Sequence, residues 1–252
     1  MNSNWRAREL ESNSGVRARL LLARPLALCG AVLLLASCRS FGPPPSELGT
    51  LLPVASPALA GPLGQHELRV SIESEALSGE FEGVAATRSL PEAGARLQLF
   101  GDLGGKLFDM AAQADRFVGY FPHAEVGVEF KPEGEDLPRH LISFMAASLL
   151  EASSPITLER VRAARQLEDS GWELELEPVM AGVEVTAVLT AKGDLVERRY
   201  RMRGLRWSEE IGAERIFRGG DFQLTLTSER TTALDALPDG VFELMLPEGF
   251  HP

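Results

Sequence analysis

The side chains able to attack, protonate or ligate are scattered along this chain. The four histidines, His66, His123, His140 and His251, stand far apart, none at a His-x-x-x-His spacing and none beside a cysteine pair, so no metal site is expected. Glu173, Glu175 and Glu177 are the densest carboxylates, the residue type that glycosidase acid and base chemistry requires. They alternate with Trp172, Leu174 and Leu176, which puts them together on the solvated face of a strand as surface charge. Asp221 near Arg218 reads as a hairpin charge pair. Gly101-Asp-Leu-Gly-Gly105 is rich in glycine but has neither phosphate-loop nor dinucleotide spacing, and no Gly-x-Ser-x-Gly elbow occurs. The reading is of a protein that is not an enzyme, with no catalytic residues and no cofactor.

Two cysteines remain. Arg6, Arg8, Arg17, Arg19 and Arg24 precede an apolar run from Pro25 to Leu35, followed by the small residues Ala36 and Ser37 and then Cys38. Basic, apolar and small-residue zones in that order are the layout of a signal peptide, and the run is shorter than the roughly 20 residues of a membrane span. Leu35-Ala36-Ser37-Cys38 resembles the lipobox of bacterial lipoproteins, which implies cleavage before Cys38 and lipidation of its thiol. The alternative is a secretory signal whose cysteine is incidental. Cys29 falls within the removed segment, so no disulfide is available to the mature chain. Lipoprotein modification adds two or three acyl chains, enough for stable anchoring.

The formal charge of the whole chain is −11. Losing five arginines and two glutamates with the signal takes it to about −14, which disfavours nucleic acid and anionic membrane surfaces as general partners. Residues 39 to 64, with Pro43-Pro44-Pro45 and no sustained period, read as a flexible tether, although Leu51, Leu52, Val54 and Leu59 could instead dock on the fold. The expected organisation is a signal peptide at 1–37, a lipidated cysteine and tether at 38–64, and one domain at 65–252.

That domain alternates apolar and polar residues over short stretches. Leu68, Val70 and Ile72 against Glu67, Arg69, Ser71 and Glu73 set the pattern. It recurs at 81–87, 96–100, 107–112, 116–121, 125–130, 172–176, 183–189, 195–202, 215–218 and 222–227. Short turns such as Lys192-Gly193-Asp194 imply antiparallel hairpins. Between the two series, Leu137, Leu141, Phe144, Met145, Ser148 and Leu149 recur every three or four residues, an amphipathic helix over 136–151 with Asp136 as N-cap and Pro138 in its first turn. Residues 157–166 fit either a second helix or a strand. The fold class is mainly β (α+β): a curled antiparallel half-barrel of about ten or eleven strands, its concave face covered by the inserted helix, because strand twist accumulates in so wide a sheet.

This order of elements resembles the LolA/LolB family of periplasmic lipoprotein carriers and outer-membrane lipoprotein receptors. The local likeness runs from Arg96-Leu-Gln-Leu-Phe-Gly-Asp-Leu-Gly-Gly-Lys-Leu-Phe-Asp-Met110 into Asp115, and 136–150 is similar to the family's lid helix. Residues 237–247 look like the closing strand of such domains. The resemblance implies that Leu103 is an exposed leucine for membrane transfer, although Asp102 precedes it where the family often has proline. It also implies an apolar concave surface that holds acyl chains. By alternation the candidates are Val70, Ile72, Val84, Leu97, Leu99, Phe108, Met110, Phe117 and Val118, with Phe144, Met145 and Leu149 from the helix. Implied partners are a lipid or acylated lipoprotein, the membrane through the anchor, and a periplasmic carrier protein, with the receptor itself a monomer. Arg39 rather than Asp after the cysteine implies sorting to the outer membrane, with the domain facing the periplasm. The alternative is a non-catalytic docking module in an envelope complex, distinguished by a packed interior rather than an open cavity.

Overall fold

The computed structural model describes residues 40–55, 63–74, 78–123, 125–130, 141–202, 204–220 and 222–248, with side chains at all of these except 126, 130 and 141–144. Residues 1–37, Cys38, Leu59, Asp136 and Pro138 lie outside the described residues. The chain divides into Met1–Ser40 and Phe41–Pro252, and the second unit carries the fold.

Thirteen strands form one sheet. They are β1 (Leu63–Glu73), β2 (Ser78–Arg88), β3 (Gly94–Phe100), β4 (Lys106–Gln113), β5 (Arg116–Phe121), β6 (Val126–Phe130), β7 (Val161–Gln166), β8 (Trp172–Leu176), β9 (Glu184–Leu189), β10 (Leu195–Met202), β11 (Leu205–Ile211), β12 (Arg215–Gly219) and β13 (Phe222–Ala233). The spatial order is β6-β5-β4-β3-β2-β1-β13-β12-β11-β10-β9-β8-β7, with every neighbouring pair antiparallel. The first and last strands therefore meet at the centre, from Gly64 opposite Ala233 to Glu73 opposite Gln223, while β6 and β7 are the two edges. Register shifts at Glu67/Leu68, Leu99/Phe100, Val161/Ala163 and Leu195/Glu197 add local twist.

The count exceeds the expected ten or eleven because β7 and β11 are hidden in the sequence. In β7 the buried residues are Val161 and Ala164, a spacing broken by the register shift, so no clean alternation shows. In β11 the inward series is Trp207 and Glu209, and a carboxylate in an inward position masks the apolar period.

One helix, α1 (Leu141–Ser153), stands between β6 and β7 among the described residues. It packs on β2, β3, β4 and β5. Its Ser148 also accepts a hydrogen bond from Trp207 of β11 at 2.9 Å. Every residue from Met145 to Ser153 is buried, so α1 is enclosed on all sides there, rather than being the amphipathic cover that its period predicts. Its polar side chains have internal partners. Glu151 accepts from Arg160 Nη2 at 2.6 Å and from the Val179 backbone N–H at 2.5 Å, and Ser153 donates to the Leu150 carbonyl at 2.9 Å.

The tether reading fails for residues 41–54. Gly42 bridges Ala164, Val54 bridges Ile156, and a 3-10 turn at Ser46–Thr50 buries Leu48 in the core. Leu51, Leu52 and Val54 pack beside it, and the Arg165 guanidinium lies 4.7 Å from the Phe41 ring centroid. The prolines set an extended path, and the apolar residues along it dock. The C-terminal stretch after β13 is likewise no closing strand. Residues 234–248 run as turns and irregular chain over the outer face of β3 to β6, where a side chain on Gly94 would meet the Phe242 ring at 2.8 Å and one on Gly127 would meet Leu246 at 2.6 Å. Arg96 and Arg116 donate to the Val241 and Leu244 carbonyls at 3.1 and 3.4 Å, so side chains satisfy the strap's backbone in place of a strand partner.

Candidate functional site: the helix-covered face and its buried charges

Strand alternation sends one side chain in two toward α1. Val70, Ile72, Leu97, Leu99, Phe108, Met110, Phe117, Met145 and Leu149 all belong to the single large core, and Phe108 meets Phe121 with ring centroids 4.8 Å apart. Two of the expected residues point the other way. Val84 alternates with the inward Gly83 and Ala85 and lies under the strap, beside Leu237, Pro238 and Val241. Val118 follows the inward Phe117 and joins Ala111 and Leu244 in a small separate cluster. Neighbours in a strand cannot share a face, and burial of both faces by helix and strap conceals which is which. The side chain of Phe144 lies outside the described residues.

The space between α1 and the sheet is nearly filled. A cavity of about 10 Å³ remains, bordered by Leu97, Met145, Ser148, Leu149, Phe217 and Leu224 among others, and it is no bigger than one water molecule. Expectation and structure differ here: among the described residues, α1 occupies the apolar surface and leaves no open cavity along it.

The same face carries charges that the sequence reading did not single out. Arg198 of β10, Glu209 of β11 and Arg215 of β12 are all buried. Arg198 Nη1 lies 3.4 Å from Glu209 Oε2, Arg215 Nη2 donates to Glu209 Oε1, and Tyr200 donates its hydroxyl to Glu209 Oε2 at 2.6 Å. Tyr200 stacks on Trp207, with centroids 5.1 Å apart, and Trp207 in turn reaches Ser148 of α1. Burial, with Arg198 alongside, brings the Arg215 guanidinium down to about 9, and burial pushes the Tyr200 hydroxyl up to about 12. On β1 the ring of His66 sits between Thr87 and Thr231 hydroxyls at 2.9 and 3.1 Å, and burial followed by the charge of Arg215 lowers its pKa to about 4. The signal that could have found these groups is strand parity: Arg198 shares phase with Tyr200 and Met202, and Arg215 with Phe217.

On the outer face, Asp109 binds Arg96, Lys106 and Gln98 at 2.7 to 3.1 Å. Burial raises its pKa, and those three hydrogen bonds together outweigh it and hold the carboxyl below the usual range. Glu173, read as surface charge, is instead buried between Arg165 and Arg199, a charge-paired structural position. Arg218 binds Glu210 and Gln223, and Asp221 lies outside the described residues. Among the described residues no three His, Cys, Asp or Glu side chains could hold a metal, and no helix is long and apolar enough to cross a membrane.

Leu103 lies in the β3–β4 turn, fully exposed. The turn is closed by Gly104 N–H to the Gly101 carbonyl at 2.8 Å and Gly101 N–H to the Gly105 carbonyl at 3.0 Å. Gly104 takes a φ of +75°, a value that a side chain would resist, and the tight turn leaves Leu103 no surface to fold against.

No family model and no curated relative matches the chain. Among solved structures it is similar to a domain assigned to outer membrane lipoprotein sorting from Vibrio parahaemolyticus, at 11% identity and a TM-score of 0.48, over 72% of this chain and 89% of that one. It is similar to a DUF1329 family protein from Desulfovibrio piger, at 8% identity and a TM-score of 0.49, over 72% and 90%. A third likeness is to a LolA superfamily protein from Nitrosomonas europaea, at 8% identity and a TM-score of 0.47, over 75% and 92%.

Proposed function

We propose that this domain binds an acyl chain, free or carried on a lipoprotein, along its concave face, and passes it on by transfer without covalent catalysis. The observation that carries the reading is an apolar face running across β1 to β5, β12 and β13 and covered by one helix. A ligand chain replacing α1 would keep the sheet face dry, which offsets part of the apolar burial that the displaced helix gives up. What opposes it is the burial of α1's own apolar residues, Met145 to Ala152, together with the Trp207 to Ser148 hydrogen bond and the grip of Arg160 and the Val179 N–H on Glu151. In this reading Cys38 is the lipid anchor, the domain faces the periplasm from the outer membrane as a monomer, a periplasmic carrier protein delivers the cargo, and exposed Leu103 meets the membrane surface on release.

A second reading, a docking module in an envelope complex, draws on the filled interior, whose cavity of about 10 Å³ admits no acyl chain without movement of α1. Native mass spectrometry of the chain purified without detergent, followed by lipid extraction, separates the two. A reproducible acyl-bearing ligand is the result expected for the carrier. A bare protein that also refuses added lipids and acylated peptides favours the docking module.

A further inference from the structure

One row crosses the concave face through Leu174, Ala187, Arg198, Glu209, Phe217, Leu224 and Ile72, each opposite the next in register. All of it is apolar except one cation and one anion at the middle, with Arg215 two residues along β12 from Phe217. Two guanidinium groups and one carboxylate leave a buried excess of one positive charge. Glu209 supplies too few acceptors for them. Arg198 Nε and Nη2 and Arg215 Nε and Nη1 are buried with no hydrogen-bond partner among the described residues. The Phe217 ring, 5.3 Å from the Arg215 guanidinium carbon, offers it only a π face. A purely structural ion pair has no use for a second arginine, because an unpaired buried cation costs several kcal/mol.

Building on the acyl-binding reading, we infer that Arg198 and Arg215 form the headgroup site for a fatty carboxylate, whose chain lies along Leu224 and Ile72 once α1 gives way. The planar fork of a guanidinium matches a carboxylate in two parallel hydrogen bonds. Phe217 lines the small cavity, lies opposite Glu209 in register and carries the Arg215 guanidinium on its ring, so the space that α1 vacates adjoins the charged pair. A carboxylate is the smallest oxyanion head that brings two acceptors into so tight a place.

The test is calorimetric titration of the full chain, stripped of lipid, with palmitate, hexadecanol and inorganic phosphate. Palmitate is expected to bind at least about tenfold more tightly than hexadecanol, the effect of one charge-assisted hydrogen bond in a buried site. Arg198→Met leaves a neutral Arg215–Glu209 pair, and should abolish that preference while hexadecanol binds as before. Equal binding of acid and alcohol by the unaltered chain, which needs no variant to fold, overturns the headgroup site and leaves the acyl groove standing. Failure of both amphiphiles overturns the groove as well. Phosphate binding that palmitate does not displace overturns the fatty carboxylate in favour of a free-anion site.

Discussion

At the scale of single residues, the concave face holds side chains whose protonation is tied to folding. His66 titrates at about 4 in the folded chain against 6.5 when free, so the unfolded chain binds its proton more tightly throughout that interval. Its contribution is fully present above pH 6.5 and is lost as the pH falls through 4. By pH 4.5 the loss is about 2–3 kcal/mol, and urea midpoints should show it in the native protein and not in His66→Gln. Leu103 belongs to the same scale: Leu103→Glu should leave thermal stability within about 0.5 kcal/mol, since the side chain touches nothing, yet slow delivery of bound lipid to vesicles in a fluorescence transfer assay. Most apolar candidates were legible, because alternation alone sends Val70, Ile72, Leu97 and Phe108 inward. Val84 and Val118 were misassigned for a physical reason. Where helix and strap bury both sides of a strand, apolar character no longer tells one face from the other. Arg198, Glu209 and Arg215 escaped because a charge in an inward phase is read as noise in the pattern rather than as the residue that matters.

The elements show the reverse balance. A helix between two series of strands was visible from its period, but the degree of its enclosure was not, since Ala146, Ala147 and Ala152 are as compatible with a solvent face as with close packing. On the carrier reading, the buried Glu151–Arg160 pair is the latch that holds α1 down. Glu151→Gln weakens the grip of Arg160 and should cost about 3 kcal/mol in stability, while hydrogen exchange in α1 speeds up and uptake of a fluorescent fatty acid rises. Unchanged or weaker uptake in a folded variant would mean that α1 is fixed core and no lid. Of the two readings of 41–54, tether or docked chain, the docked one holds; composition leans toward the tether because proline-rich sequence reports backbone preference and says little about where the leucines between the prolines land. The C-terminal strap can be tested through its seat: Gly94→Val forces Phe242 aside and should lower stability by about 1–3 kcal/mol, with chymotrypsin cleaving after Phe242 at an increased rate.

For the molecule as a whole, net charge and local charge have opposite signs. The chain carries −11, while the interior holds an excess cation between β10 and β12, so on the headgroup reading an anionic ligand is resisted at a distance and accepted at the site. Such a binder is served by delivery from another protein or from a membrane it is tied to, more than by diffusion of free anions. The proposed lipid anchor is checked by Cys38→Ala, which should move the protein from the detergent-released membrane fraction to the soluble envelope fraction on immunoblots.

The pairing of β1 with β13 at the middle of the sheet also fixes the order in which the molecule can be assembled. Neither half of the sheet is closed on its inner side until the last strand of the chain is at hand, and that contact spans nearly the whole domain, which makes it slow to form. A nascent chain therefore stays open until its end has been delivered. On the proposed reading, in which a signal peptide carries the chain through a membrane before it folds, that delay is a built-in safeguard against closing on the wrong side.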